Sequence, residues 1–213
     1  MPEQLIKGYQ RFREGYFRRN KDHLNSLAEG QWPRIAILSC CDSRVDPSVV
    51  FDAKPGELFV IRNVANLVPP CETEGLFHGT SAALEFAATK LLVSDIVVLG
   101  HAQCGGIRAL MDRPEDLDMA SFIDRWMTLA EPARLAAEAS QQTHGVNGVN
   151  GANRYVACEQ FSIEHSLNNL MTFPWIKTRV QQGLLSVHGW YYDLSLGTLS
   201  RFRPGDATFT PLC

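Results

Sequence analysis

Apolar positions along this chain recur in two periods. Two short runs, residues 34–39 (Arg-Ile-Ala-Ile-Leu-Ser) and 95–100 (Asp-Ile-Val-Val-Leu-Gly), are nearly continuous in aliphatic residues. Runs of this kind suit strands covered on both faces, as in a parallel sheet. Residues 57–61, Glu-Leu-Phe-Val-Ile, predict another strand, introduced by the turn signal Pro55-Gly56. Elsewhere the spacing is helical. The first thirty residues carry Leu5, Tyr9, Phe12, Tyr16 and Phe17, and residues 79–92 predict a helix with Ala82, Ala83, Phe86, Ala87 and Leu91 on its apolar side. A helix is expected from Gly105-Gly106 to about Met111, where small residues suit a strand-to-helix crossing beside a ligand. Further helices are expected near 118–140 and 157–170. Between them, residues 143–153 hold a near-repeat of Val-Asn-Gly and read as a turn-rich loop; two copies are too few for a solenoid. Residues 184–192 and 198–203 read as two strands about a turn at Gly197.

Alternating strands and helices followed by a hairpin predict an α/β fold. Its centre is a mostly parallel sheet flanked by helices, with an antiparallel hairpin at the C-terminal edge. Residues 1–213 are expected to form one domain, with residues 1–30 as an N-terminal helical arm. The aromatics of that arm precede any strand that would cover them. They are expected to pack on a partner subunit, the alternative being the arm's own domain.

Bulk properties narrow the function. The chain is 45% hydrophobic and 20% charged, with a net charge of -3, so neither nucleic acid nor an anionic membrane is expected as a partner. No apolar run approaches the roughly 18 residues of a spanning helix. Residues 1–20 are polar and charged, without the apolar stretch and cleavage site of a secretory signal, so a cytoplasmic location is expected. Six cysteines would allow three disulfides. In a cytosolic chain, spaced Cys and His more often bind metal or do chemistry.

Cys40, His101 and Cys104 are the residues on which that chemistry centres. Each follows a predicted strand, and open α/β sheets place their sites at strand C-terminal ends. His101 and Cys104 are three apart, so a turn entering a helix aims both at one point, and Cys40 arrives from another strand end. Two thiolates and an imidazole suit zinc better than redox-active metals, and three ligands leave a fourth position open, as in catalytic rather than structural sites. Taken singly, each would be an ordinary buried cysteine or a loop histidine; it is their joint placement that points to a metal. Alternation along an extended segment would let Cys40, Asp42 and Arg44 face one cavity and turn Cys41 away. Asp42 would orient a metal-bound hydroxide, and Arg44 would hold Asp42 and keep it off the metal.

Cys40-x-Asp42-Ser43-Arg44 together with His101-x-x-Cys104-Gly105-Gly106 resembles the signature of the β-class carbonic anhydrases. The likeness is dense from about Gly30 to Leu110, including Gln31, Pro55-Gly56-Glu57 and Arg62-Asn63-Val64-Ala65-Asn66. It continues more loosely through His188-Gly189-Trp190-Tyr191-Tyr192. The resemblance implies one Zn²⁺ per chain on Cys40, His101 and Cys104, with Asp42 and Arg44 as the catalytic dyad. It implies reversible hydration of CO₂ to bicarbonate and a proton by attack of zinc-bound hydroxide. It places Gln31 where the plant-like branch hydrogen-bonds substrate across a dimer interface, and Phe59, Val64 and Phe86 where that branch lines its CO₂ pocket, with Gly105 letting substrate approach. Phe86 departs from the tyrosine expected at its position, and plain core packing is the alternative for the three apolar residues. A homodimer or a higher assembly of dimers follows. The allosteric branch carries a tryptophan three residues before its first Cys ligand; Ile37 stands there, which implies non-allosteric behaviour and an open fourth site. The reference zinc water with pKa about 7 belongs to a carbonic anhydrase with three histidines. Two thiolates cancel the metal's charge, so a mildly alkaline optimum is expected here.

The proton leaving each turnover could pass through His23, His78, His144, His165 or His188, among which the sequence does not choose; His188 reads rather as a packing residue. Two other functions fit parts of the pattern. One is a carbonyl sulfide or carbon disulfide hydrolase with the same metal and dyad. The other is a non-catalytic zinc or thiol-redox module, against which stand the three-ligand set and the adjacent Asp-Arg pair.

Overall fold

In the computed structural model, which describes residues 2–74, 77–113, 121–144 and 153–212, both continuous apolar runs become central strands. Helices α1 (Glu3–Phe12) and α2 (Lys21–Leu27) precede β1 (Ile35–Cys40), α3 (Pro47–Val50), β2 (Leu58–Asn63), α4 (Gly79–Glu85) and β3 (Asp95–His101). Then follow α5 (Gly105–Met111), α6 (Phe122–Met127), α7 (Glu131–His144), α8 (Arg154–Leu170), α9 (Pro174–Gln181), β4 (Ser186–Asp193), β5 (Thr198–Arg203) and β6 (Thr208–Pro211). The described strands form one six-stranded sheet in the order β2-β1-β3-β4-β5-β6. The first four are parallel and the last two antiparallel, as expected.

This order creates a crevice. The chain leaves β1 toward β2 on one side, crosses back, and leaves β3 toward β4 on the other. Connections diverging from two adjacent parallel strands open a gap at their carboxyl ends, where α/β sheets bind ligands. Cys40 ends β1 and His101 ends β3.

One face of the sheet is covered by α4, α8 and α9 around Leu38, Ile96, Val98, Leu84, Ile163 and Ile176. The other carries Ile37, Val97 and Leu99 against Phe51 and Trp190. Helix α8 seats closely because β3 and β4 present glycines. A Cβ on Gly100 would stand 2.6 Å from Ile163 Cδ1, and one on Gly189 would stand 2.7 Å from Ile163 Cγ2.

Several expectations need correction. Over residues 79–92 the buried residues are Leu84, Ala87 and Ala88, whereas Ala82 is exposed and Phe86 is 44% exposed. Those three stand at i, i+3 and i+4, one regular helical face that Ala82 and Phe86 do not share; from Phe86 to Lys90 the helix widens into a π-turn, with Leu91 N–H donating to the Phe86 carbonyl. Helix α8 begins at Arg154, capped by the Asn153 side chain, rather than near 157. Helix α9 was not expected; it opens on Pro174, which suits a first helical turn. Strand β6 was not expected either. The loop about residues 145–152 and the start of the helix expected at 118 lie outside the described residues. Helix α1 buries none of its residues, whereas α2 touches its own domain, His23 bonding to the Pro55 carbonyl at 3.0 Å and Leu27 lying against Gly56. No described helix is long and apolar enough to cross a membrane.

Candidate metal centre

Cys40, His101 and Cys104 are 4%, 1% and 2% exposed. Their donor atoms lie within 4.8 Å of one another, the two sulfurs 4.0 Å apart. Two donors about 2.3 Å from a tetrahedral zinc stand about 3.8 Å apart, so the spacing fits this ion. His101 Nδ1 faces the Ala102 carbonyl at 2.9 Å, while Nε2 is buried without a partner. An Nδ1–H donated to a carbonyl leaves the Nε2 lone pair free, as a ligating histidine requires. These three residues could therefore hold a metal.

Backbone amides surround both sulfurs. Asp42 N–H points at Cys40 Sγ at 3.4 Å, with Ala65 N–H beside it. Cys104 caps α5 and faces the Gly106 and Ile107 amides. Without metal, the hydrogen bond from Cys104 pulls the Cys40 thiol down to about 4 against the effect of burial. That same hydrogen bond, with burial, pushes Cys104 up, so the two sulfurs share one proton. A divalent cation would draw both sulfurs into the thiolate form.

Asp42 and Arg44 pair as expected, by a different route. After Asp42 the chain turns instead of staying extended, Val45 N–H bonding back to the Asp42 carbonyl at 3.1 Å. Arg44 gives Asp42 three hydrogen bonds: backbone N–H to Oδ1 at 3.0 Å, Nε to Oδ1 at 2.9 Å and Nη2 to Oδ2 at 2.7 Å. The Arg44 hydrogen bonds hold the Asp42 carboxyl well below the usual carboxylate range. Arg44 Nη2 also donates to the Gln103 carbonyl at 2.9 Å, tying this turn to the one that bears Cys104.

Two residues given no role in the sequence reading support the centre. Arg62 donates to the carbonyls of Cys40, Asp42 and Val45 and pairs with Asp46, which stiffens the segment between them. Glu159 is 3% exposed and accepts from Cys104 N–H at 3.0 Å. Arg62 stands in a motif quoted for its likeness; Glu159 carries no local signal.

The residues expected around substrate divide into two groups. Val64 sits beside the centre, its carbonyl bonded to Trp126, and lines an apolar cavity of about 570 Å³ with Cys41, Asn63, Pro69 and His78. Gly105 opens α5, and a Cβ there would meet nothing within 4 Å. Gln31, Phe59 and Phe86 lie elsewhere in the chain. Phe59 and Phe86 stack with ring centres 5.9 Å apart. Phe59 is four residues before Asn63, the partner of Cys40, which is about 13 Å along a strand. Gln31 is exposed and precedes β1 at the end opposite Cys40.

Cys41 is exposed and is not part of the Cys40, His101 and Cys104 cluster, as expected. Cys71 is half-buried, Cys158 is buried, and Cys213 lies outside the described residues; among those described, the cysteines are free thiols. His188 pairs with Asp95 at 2.9 Å beside Trp190, a firmer tie than simple packing. His23 and His78 bond to the carbonyls of Pro55 and Glu74, and burial lowers His165. The side chain of His144 lies outside the description.

The family model for carbonic anhydrase matches residues 35–199, spanning both halves of this centre. The chain is 41% identical over 172 residues to beta carbonic anhydrase 5, chloroplastic, of Arabidopsis thaliana. That match covers 81% of the chain and 55% of the relative, so the chain spans little more than half of that protein's length. The solved structure of the beta-carbonic anhydrase CcaA superposes with a TM-score of 0.89 at 33% identity, covering 99% of this chain and 92% of that one. A tetrameric beta-carbonic anhydrase from the filamentous ascomycete Sordaria macrospora superposes at 0.80 with 26% identity, covering 93% and 95%. With that sheet, a Cys-His-Cys cluster at its switch point and the Asp-Arg pair alongside, the chain belongs to the β-class carbonic anhydrase family.

Proposed function

We propose that this protein catalyses the reversible hydration of CO₂ to bicarbonate and a proton, with one zinc ion held by Cys40, His101 and Cys104. The observation that carries this reading is the convergence of three buried donors beside an aspartate already locked by arginine. Bound zinc would supply an acidified water at its open position. Asp42 would accept a hydrogen bond from that water and so orient its lone pair toward the carbon of CO₂. Arg44 occupies both Asp42 oxygens, which keeps the carboxylate from closing the fourth position and supports the non-allosteric reading. Val64 and the open face of Gly105 leave an apolar approach for CO₂. The proton released in each turnover passes to solvent or buffer.

The site is completed by a second copy of the chain. Gln31 and Phe86 are exposed and Phe59 is only partly covered, all away from their own centre, as residues serving a partner's pocket would be. Helix α1 leaves Leu5, Tyr9 and Phe12 uncovered, an apolar stripe suited to a partner subunit. A homodimer is the smallest assembly that meets both needs.

The test is stopped-flow CO₂ hydration on protein of known zinc content, beside Asp42→Asn. The expected result is one zinc per chain in both proteins and a rate at least about 100-fold lower in the variant. Full zinc without CO₂ hydration would reject the reading, and turnover of carbonyl sulfide by that protein would replace it.

A further inference from the structure

Glu159 is a buried carboxyl that the proposed chemistry does not use. It stands on α8, 55 residues from Cys104, and is 3% exposed. A buried carboxyl is costly unless its oxygens are bonded, and both are. Oε1 accepts from Cys104 N–H at 3.0 Å, and Oε2 accepts from Tyr191 O–H at 2.8 Å. The Gln103 backbone amide is turned toward it as well.

What these bonds hold is a strained turn. Gln103 has a φ of 58°, a left-handed conformation that a side chain disfavours, so its surroundings must impose it. Three contacts do so from three directions. Glu159 grips the amide side, and Arg44 Nη2 donates to the Gln103 carbonyl at 2.9 Å. The Gln103 side-chain amide donates to Ser195 Oγ at 2.9 Å. The turn carries a sulfur of the centre on one flank and receives the arginine of the Asp42 pair on the other. Helix α8 itself is seated through Ile163 against Gly100, the residue before His101.

We infer that Glu159 is a positioning residue. With Tyr191 holding its far oxygen, it fixes the Gln103–Cys104 turn, and so sets where the Cys104 sulfur and the Arg44 guanidinium stand. The metal part of this inference rests on the reading of Cys40, His101 and Cys104 as ligands, whereas the turn itself can be measured without metal. Glutamine can accept from Cys104 N–H through its oxygen and donate to the Tyr191 hydroxyl, so it preserves the geometry without the charge.

The experiment compares wild type with Glu159→Gln, Glu159→Ala and Tyr191→Phe, each shown to be folded by circular dichroism. Amide exchange at Gln103 and Cys104 is followed in the metal-free proteins. Zinc affinity is measured by chelator competition, and the thiolate-to-cobalt absorption after substitution with Co²⁺. Glu159→Ala should exchange those amides at least about tenfold faster, bind zinc about 10–100-fold more weakly and shift the cobalt spectrum, while Glu159→Gln stays within about threefold of wild type. If Glu159→Ala does not fold, Tyr191→Phe serves as the truncated variant, with about threefold effects expected. Unchanged exchange in the truncated variant overturns the inference, as does Glu159→Gln behaving like Glu159→Ala. Should wild type take up no zinc while exchange responds as expected, the turn assignment stands and the ligand reading falls.

Discussion

Replacing Gly100 by alanine tests whether the close seating of α8 on the sheet holds the centre together. The added Cβ would stand 2.6 Å from Ile163 Cδ1 and 2.7 Å from Cγ1. Carbon atoms pack best at about 3.5–4.0 Å, so the overlap is about 1 Å. Ile163 has no simple escape, because it is fully buried and its Cγ2 already fills the space left by Gly189. Either the isoleucine leaves its rotamer or α8 lifts, and overpacking of this kind costs about 1–3 kcal/mol. For a chain of this size that lowers Tm by about 2–12 °C. Lifting α8 also draws Glu159 from Cys104, so zinc affinity should weaken with it. The assay is a calorimetric melt with chelator competition on Gly100→Ala, Ile163→Ala and the double variant. Ile163→Ala alone leaves a cavity costing about 2–5 kcal/mol. In the double variant the new methyl has room, so the combined loss should fall short of the sum by at least about 1 kcal/mol. A Gly100→Ala melt within about 1 °C of wild type, or strictly additive losses, would refute the packing argument.

Further predictions concern pH, metal and assembly. Asp42 has a carboxyl depressed by Arg44, so its contribution to stability is present above about pH 4 and is lost only as pH falls through the lowered value. A rise in hydration rate between about pH 7 and 8.5 is expected from the thiolate-ligated centre and not from Asp42, and a plateau already reached below about pH 7 would contradict the donor set. Chelation should abolish hydration and zinc should restore it. The hydrogen bond to Cys40 and burial keep Cys104 protonated without metal, so binding expels at least that proton and tightens by at least about tenfold per pH unit; affinity flat across pH 6–8 would speak against it. Placing aspartates at Leu5 and Tyr9, which are 70% and 61% exposed, should reduce the sedimenting mass to one chain with secondary structure intact. An unchanged mass would remove α1 from the interface.

Much of the centre was legible without coordinates. The runs at 34–39 and 95–100 read as covered strands from their length and aliphatic content, and a ligand-type residue at the end of each implied a site at their carboxyl ends. The pair Gly105-Gly106 marked the start of α5 for the same local reason, since a crossing beside a ligand favours small residues. Where local signals conflict, the reading slipped. Phe86 lies off the buried face set by Leu84, Ala87 and Ala88, and a helix rich in alanine does not announce which of its sides is covered. Helix α9 had no place in the expected order, although Pro174 suits the first helical turn it occupies.

Alternation and spacing along the chain determined the strands, the donor residues and the exclusion of Cys41 from the donor set, because these depend on bonds and dihedrals within a few residues. Tertiary structure alone decided the rest. The strand order β2-β1-β3-β4 opens the crevice between two particular strand ends, and that order is a matter of which faces pack together. Asp42 and Arg44 meet through a turn whose shape is held by Arg62, from another strand. Glu159 reaches Cys104 across 55 residues only because two glycines let α8 sink onto the sheet. Contacts between distant segments are set by how surfaces fit, and the sequence records that fit only in the residues that permit it.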